Sequence, residues 1–450
     1  MRCIVLLGCA ALVAAGLGAP PASRAQEAAP YPLGRELPTF DAPAAAATPL
    51  PEAPPEPTGV LRLGDALAAA LLRNPELAAD AYEVRAREAA LVQAGAHPNP
   101  TLSVEIEDFA GSGQFRGFES SQTTLLLRQL IELGGKRAAR LDLATAARDL
   151  ASWDYEVRRI DVLVRTASAF VDVLAAQERH RLADEALELA RSMQRVASLR
   201  LRAGIASPAE EIRAGVQVDV AGVEREHTEH GLATARQALA ATWGGEEARV
   251  ERAEGDLETL PPVPSMEELM QRLEAGPSVA RWRTELAQRD ALRERANSER
   301  VPDVTLGAGP RRLSGPEDTA LVAEIWVPLP LWNRHRGAVA EAEHRLAKLA
   351  AEKRAARVRA VTELATARVD LEASSEEATL LRTRVLPGTE RAVEALRRGY
   401  EAGRFAQIEV LDAERERLEA REQYLSALTE AHHSAQQIER LTGVPLEVRP

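Results

Sequence analysis

Between residues 137 and 202 the chain runs without a proline or a glycine. A stretch of that kind, rich in Ala, Leu, Glu and Arg, favours helix at nearly every position. At 1.5 Å per residue it reaches roughly 100 Å, several times the length of an ordinary globular helix. A single compact core cannot cover such a rod, so it needs partners along its whole length. Its second half names the kind of partner: Leu182, Ala186, Leu189, Met193 and Val196 recur in alternating steps of four and three, a coiled-coil seam. Composition agrees, with 45% apolar but only 4% aromatic and 28% charged residues among 450. That balance is nearer to long helices than to a β-sandwich or an α/β enzyme core.

The programme occurs twice. A helical run opens near Asp65 and ends before His97-Pro98-Asn99-Pro100; a strand pair follows over 100–131, then the long helix over 136–202, then a turn at Gly204. Ser207 and Pro208 start a return helix over 207–243. The region from there to Pro264 reads as a proline-bearing connector. From Met266 the order repeats: helix to about Arg300, strand pair over 302–327, long helix over 335–400, turn at Gly403, return helix over 407–441. Ala203-Gly204 and Ala402-Gly403 are 199 residues apart, as are Trp243-Gly244 and Thr442-Gly443. The expected architecture is two repeats, 60–260 and 261–445, mainly α with a small β part.

The strand segments set the assembly. Leu102, Val104 and Ile106 alternate with Ser103, Glu105 and Glu107, giving one apolar and one wet face. Four strands of about nine residues are long enough to cross an outer membrane at a tilt. They cannot close a barrel alone, and open edges find no partners in lipid. Three copies supply twelve strands, so a homotrimer is the smallest assembly consistent with insertion. The last helix supports close neighbours, because Tyr424, Leu428, Ala431, Ala435 and Ile438 form one seam and Leu411, Leu418 and Leu425 a second.

The first residues read as an export signal. Arg2 precedes an apolar stretch from Ile4 to Leu17, and Ser23-Arg24-Ala25 precedes Gln26, so residues 1–25 are expected to be a cleaved leader. Leu6-Leu7-Gly8-Cys9 only partly matches an acylation box, with too little apolar chain before Cys9 and a bulky Leu7. Residues 26–59 hold nine prolines from Pro30 to Pro57 and are expected to be an extended or disordered strap that does not pack. Nothing later approaches the roughly 20 continuous apolar residues of a spanning helix.

Several chemistries fall away. Cys3 and Cys9 are the only cysteines, so the exported protein has no thiolate site. A net charge of −12 argues against a nucleic-acid partner. His432 and His433 are adjacent and point apart; His227 and His230 share a face without a third ligand. Carboxylates alternate with arginines at helical spacing, the mark of exposed ion pairs. No phosphate loop, nucleophile elbow or cofactor fingerprint occurs. No catalytic residue, metal ligand or cofactor is expected.

Leu72-Arg73-Asn74-Pro75-Glu76-Leu77, Pro98-Asn99-Pro100-Thr101-Leu102, Ile131-Glu132-Leu133-Gly134-Gly135-Lys136-Arg137, Pro328-Leu329-Pro330-Leu331-Trp332-Asn333-Arg334 and the run from Tyr400 to Asp412 occur in this order. Together they make nearly all of residues 60–445 resemble the outer-membrane efflux protein (TolC) family, in its cation-efflux, CzcC-like branch. The resemblance implies a trimeric twelve-stranded outer-membrane barrel continuous with a long periplasmic helical tunnel. It also implies docking to a periplasmic adaptor and an inner-membrane pump of the resistance-nodulation-division type. On the family's tip motif, Tyr400 and Arg404 look like linkers between neighbouring helices, Asp412 like the acid of a ring at the narrowest point, and Glu409 stands where the family can have another Asp. Gly204, Ser207, Pro208 and Gly403 look like tip turns open to an adaptor hairpin. Phe109, Phe115, Phe118, Trp326 and Trp332 flank the strands, as membrane-interface aromatics would.

The function so implied is a passive exit duct for heavy-metal cations. A multidrug or type I secretion duct of the same fold is the first alternative. A secreted coiled-coil structural or adaptor protein is the second, and it would lack the membrane strands; an adaptor would carry one hairpin where this chain has two.

Overall fold

The computed structural model describes residues 33–34, 36–43, 55–315 and 317–446, which belong to one compact unit, Tyr31–Pro450. The expected leader, Cys9 included, lies outside the described residues. In chain order the elements are β1 (Gly59–Arg62), α1 (Leu63–Arg73), α2 (Pro75–Ala94), β2 (Thr101–Glu107), β3 (Gln122–Ile131), α3 (Lys136–Arg202) and α4 (Pro208–Ala241). Then come β4 (Val250–Glu254), α5 (Met266–Ala275), α6 (Pro277–Ser298), β5 (Val304–Leu313), β6 (Thr319–Trp326), α7 (Arg336–Leu380), α8 (Leu386–Glu401) and α9 (Gln407–Thr442). Among the described residues no helix is long and apolar enough to cross a membrane.

The long helix α3 is continuous over 67 residues. Its counterpart is not uniform: α7 and α8 are joined by a π-helical turn, Leu381–Val385. Pro387 explains the turn, since its ring has no N–H to give and would clash with the carbonyl four residues back. Widening the preceding turn relieves both problems without breaking the rod. The helical run expected from Asp65 is likewise two helices. Asn74 caps α2 by accepting from Leu77 N at 2.9 Å, and Pro75 occupies the first helical position, where no N–H is needed.

Two equivalent cores hold the repeats. In the first, Leu61, Ala66, Ala70, Val162, Phe170, Val173, Leu239 and Trp243 join α1, α3 and α4. In the second, Leu269, Leu273, Leu364, Leu371, Ala431, Ala435 and Ile438 join α5, α7 and α9. The supposed connector after Trp243 contributes β4, which pairs in parallel with β1 and buries Val250 and Ala253 in the first core.

The proline-rich strap corrects its expectation, because residues 33–34 and 36–43 pack against the helices. Ala42 is buried; Leu33 and Leu37 lie against Leu71, Leu77 and Leu163. Arg159 Nη1 donates to the Leu33 carbonyl at 2.6 Å, and Phe40 N donates to the Leu71 carbonyl at 3.1 Å. Isolated apolar side chains among prolines carry no periodic signal, yet each fills a gap between helices.

The four long strands form one antiparallel sheet in the order β2-β3-β5-β6. Residues opposite one another in register share a face, so Leu102, Leu127, Ala308 and Ala323 form one row and Val104, Leu125, Pro310 and Leu321 the next. This face is apolar and uncovered, with Val104 62% and Leu321 83% exposed. The other face is polar: Arg128 pairs with Glu324, and Arg311 reaches Thr124 and Gln122. Gly307 lies between Arg128 and Glu324 in register, and a Cβ there would meet Glu324 Cγ at 2.7 Å. Only glycine leaves room for this pair to bridge over β5. The outer edges of β2 and β6 have no strand beside them among the described residues.

Candidate functional site

The helices stand at one end of the sheet and meet their turns at the far end. Both hairpin turns are built alike. Ile205 N donates to Arg200 O and Gly204 N to Leu201 O, both at 3.0 Å; Arg404 N donates to Gly399 O at 2.8 Å and Gly403 N to Tyr400 O at 2.9 Å. This is the paired bonding that ends a helix on a left-handed residue. Gly204 (φ 73°) and Gly403 (φ 74°) supply that conformation.

The starts of the return helices differ. Ser207 Oγ accepts from Glu210 N, with Pro208 at the first helical position. Ala406 has no such side chain, and the Glu409 carboxylate reaches back to accept from Ala406 N at 2.7 Å. Glu409 is therefore engaged locally as a helix cap. Arg404 and Asp412 are exposed, and Asp412 forms no ion pair among the described residues.

Tyr400 is buried at 2% exposure, in a cluster with Met193 and Val410. The Arg200 guanidinium lies over its ring, 4.4 Å from the centroid, and Arg200 Nη1 donates to the Tyr400 carbonyl at 3.1 Å. Arg200 thus ties the tip of the first repeat to that of the second, a role the sequence reading did not assign. The available signal was the 199-residue offset, which sets Leu201 against Tyr400 and leaves Arg200 one position away. The Tyr400 hydroxyl, Gln407 Nε2 and Arg200 Nε are buried without a hydrogen-bond partner among the described residues. Burial pushes the Tyr400 hydroxyl above its ordinary pKa.

At the opposite pole of the sheet, the Phe109 and Phe118 rings stack 5.6 Å apart in the β2–β3 loop, and Phe115 occupies a short turn there. Trp326 ends β6, and Trp332 is 93% exposed in the link to α7. The histidines serve packing: His432 Nε2 lies 3.0 Å from Leu257 O, and His433 Nε2 lies 3.1 Å from Asp172 Oδ1. The Asp172 carboxylate beside it holds the His433 imidazole above its usual pKa, whereas burial lowers that of His432. Among the described residues no group of three or more His, Cys, Asp or Glu is placed to hold a metal ion.

Comparison with known proteins fits this geometry. The family described as outer membrane efflux protein matches residues 66–245 and 269–444, one match for each repeat. The cobalt-zinc-cadmium resistance protein CzcC of Cupriavidus metallidurans is 35% identical over 394 residues, covering 88% of this chain and 93% of the relative. The nickel-cobalt-cadmium resistance protein NccC of Alcaligenes xylosoxydans xylosoxydans is 28% identical and covers 62% of each chain. A crystal structure of CusC superposes with a TM-score of 0.71 at 17% identity, over 85% of this chain and 92% of that one. The sheet with its bare apolar face is the outer-membrane part of a non-enzymatic channel, and the helices are its periplasmic part. With both repeats matched and CzcC so similar over nearly its whole length, the chain belongs to the outer membrane efflux protein family.

Proposed function

We propose that three copies of the chain close a twelve-stranded barrel that empties a helical tunnel, and that the cargo is heavy-metal cations. One observation carries the assembly: the four-stranded sheet presents an uncovered apolar face and two unpaired edges. In lipid each unpaired backbone group costs several kcal/mol (roughly 2–7), and pairing β6 of one copy with β2 of the next removes that cost. The repeats 60–260 and 261–445 then each contribute one helical hairpin to the tunnel wall. CzcC and NccC, named for resistance to cobalt, cadmium and zinc or nickel, support the cargo.

The duct is passive. Its drive comes from an inner-membrane pump of the resistance-nodulation-division type, coupled through a periplasmic adaptor that docks at the turns around Gly204, Ser207, Pro208 and Gly403. Tyr400 and Arg404 hold the tip closed, and Asp412, exposed and in no ion pair among the described residues, offers its charge to passing cations. The test is deletion of the gene with complementation. Lost tolerance to zinc, cobalt, cadmium or nickel with unchanged drug tolerance is the expected result; lost tolerance to drugs alone makes the chain a multidrug duct instead.

A further inference from the structure

Residues 325–334 are exposed at every position, where β6 gives way to α7. Ile325, Leu329 and Trp332 are 72%, 72% and 93% exposed, and Leu331 is exposed beside them. Thr305 lies opposite Trp326 in register, so this loop is at the helical end of the sheet, away from the loops that join β2 to β3 and β5 to β6. It continues the apolar face of the sheet toward the periplasm. The loop is also shaped. Leu331 N donates to Leu329 O at 2.8 Å, His335 N donates to Asn333 Oδ1 at 3.1 Å, and His335 is held in the left-handed region at φ 54°.

Beyond the apolar stretch come Arg334 and Arg336, both exposed and neither in an ion pair among the described residues. At the same level Arg140 pairs with Glu132 and Lys136 with Asp303 at 2.8 Å, whereas Arg137 and Arg300 are, like Arg334 and Arg336, exposed and in no ion pair among the described residues. Apolar and indole side chains followed at once by guanidinium groups without an ion pair match the order of acyl boundary and phosphate in a phospholipid monolayer. Guanidinium also pairs with phosphate in a forked geometry.

We propose that residues 327–336 dock an anionic phospholipid of the periplasm-facing leaflet of the outer membrane. Leu329, Leu331 and Trp332 enter the headgroup boundary, and Arg334 and Arg336 hold the phosphate. A zwitterionic lipid offers the same apolar contact without the net charge, so the site selects charge. This inference rests on the outer-membrane reading of the sheet.

The full-length purified assembly is reconstituted in phosphatidylethanolamine vesicles with or without one-fifth phosphatidylglycerol, and ion conductance confirms insertion in both. Lipid carried through re-extraction is then measured by native mass spectrometry. Wild type is expected to retain phosphatidylglycerol in preference. The double variant Arg334→Gln, Arg336→Gln is expected to conduct normally yet lose that preference by roughly 10-fold or more, since each arginine near an anionic surface is worth about 5-fold. Brominated phosphatidylglycerol is expected to quench emission that Trp332→Phe removes. An unchanged lipid ratio in the double variant overturns the proposal while leaving the channel reading intact. So does unquenched Trp332, as when a second copy covers the loop. A protein that enters neither vesicle and conducts nothing defeats the outer-membrane reading and this inference with it.

Discussion

Replacing Arg200 by Met removes the polar contacts that the first-repeat tip makes with Tyr400 while keeping a long, apolar, helix-compatible side chain. The guanidinium lies 4.4 Å from the Tyr400 ring centroid and donates to its carbonyl at 3.1 Å. A partly buried cation–π contact contributes about 1 kcal/mol, and a hydrogen bond from a charged donor about 1.5 kcal/mol. Some of this is lost to screening at an incompletely buried arginine, which leaves about 2 kcal/mol per chain, or roughly 30-fold in the balance between closed and open tips. Three copies releasing together multiply the effect, with roughly 10⁴-fold as a ceiling, because neighbouring contacts do not add independently. The assay is single-channel conductance of the purified trimer in planar bilayers, with sensitivity of the producing cells to a bulky antibiotic as the cellular counterpart. Arg200→Met should raise the open fraction and the sensitivity, Arg200→Lys less so, since the ammonium keeps charge but loses the planar fork. If Arg200→Met behaves as wild type while Tyr400→Ala opens the channel, Tyr400 acts without its arginine and the reasoning is refuted.

Three further outcomes are expected. Asp412→Asn should weaken the block of the trimeric pore by divalent cations, measured as current against added cation; an unaltered block removes Asp412 from the tip constriction. Burial pushes the Glu439 carboxyl from 4.5 up to about 7, although it accepts a hydrogen bond from Leu446 N at 2.7 Å. Between those two values the unfolded chain releases the proton and the folded chain keeps it, so stability falls as pH rises through this window and levels off above it. Glu439→Gln should therefore match wild type in thermal unfolding at acid pH and exceed it at pH about 8, by at most about 3 kcal/mol; a constant gap across pH contradicts this. Asn74→Ala removes the cap on α2 and the bond from Asn74 Nδ2 to Thr242 O at 2.7 Å, which should cost about 2–3 kcal/mol in chemical denaturation of the assembly.

The long rods, the two hairpin turns and the strand pairs were legible in the sequence because each writes a period. Heptad steps mark α3, alternation marks β2, and Gly204 and Gly403 mark the only chirality their turns allow. What stayed hidden lacks a period. β4 is a short charged run, Val250–Glu254, recognisable only beside its partner β1. Leu33, Leu37 and Ala42 pack singly, the two leucines half-buried and Ala42 buried. The tip was half legible: Tyr400, Arg404 and Asp412 came from a motif, whereas the Arg200 contact joins residues 200 apart, a distance at which local pattern says nothing. Glu409 shows the converse, since its bond to Ala406 N is local and caps a helix start that lacks the hydroxyl Ser207 provides in the first repeat.

The π-helical turn at Leu381–Val385 has a consequence for symmetry. One wide turn sets back the azimuth of the helix beyond it by about 100° relative to an unbroken α-helix, and α3 has no such turn. The lower shaft of the second hairpin is therefore rotated out of phase with that of the first, although the two repeats share length and landmarks. In a closed trimer the six lower shafts would alternate between two kinds, which gives the rim at the turns threefold and not sixfold character.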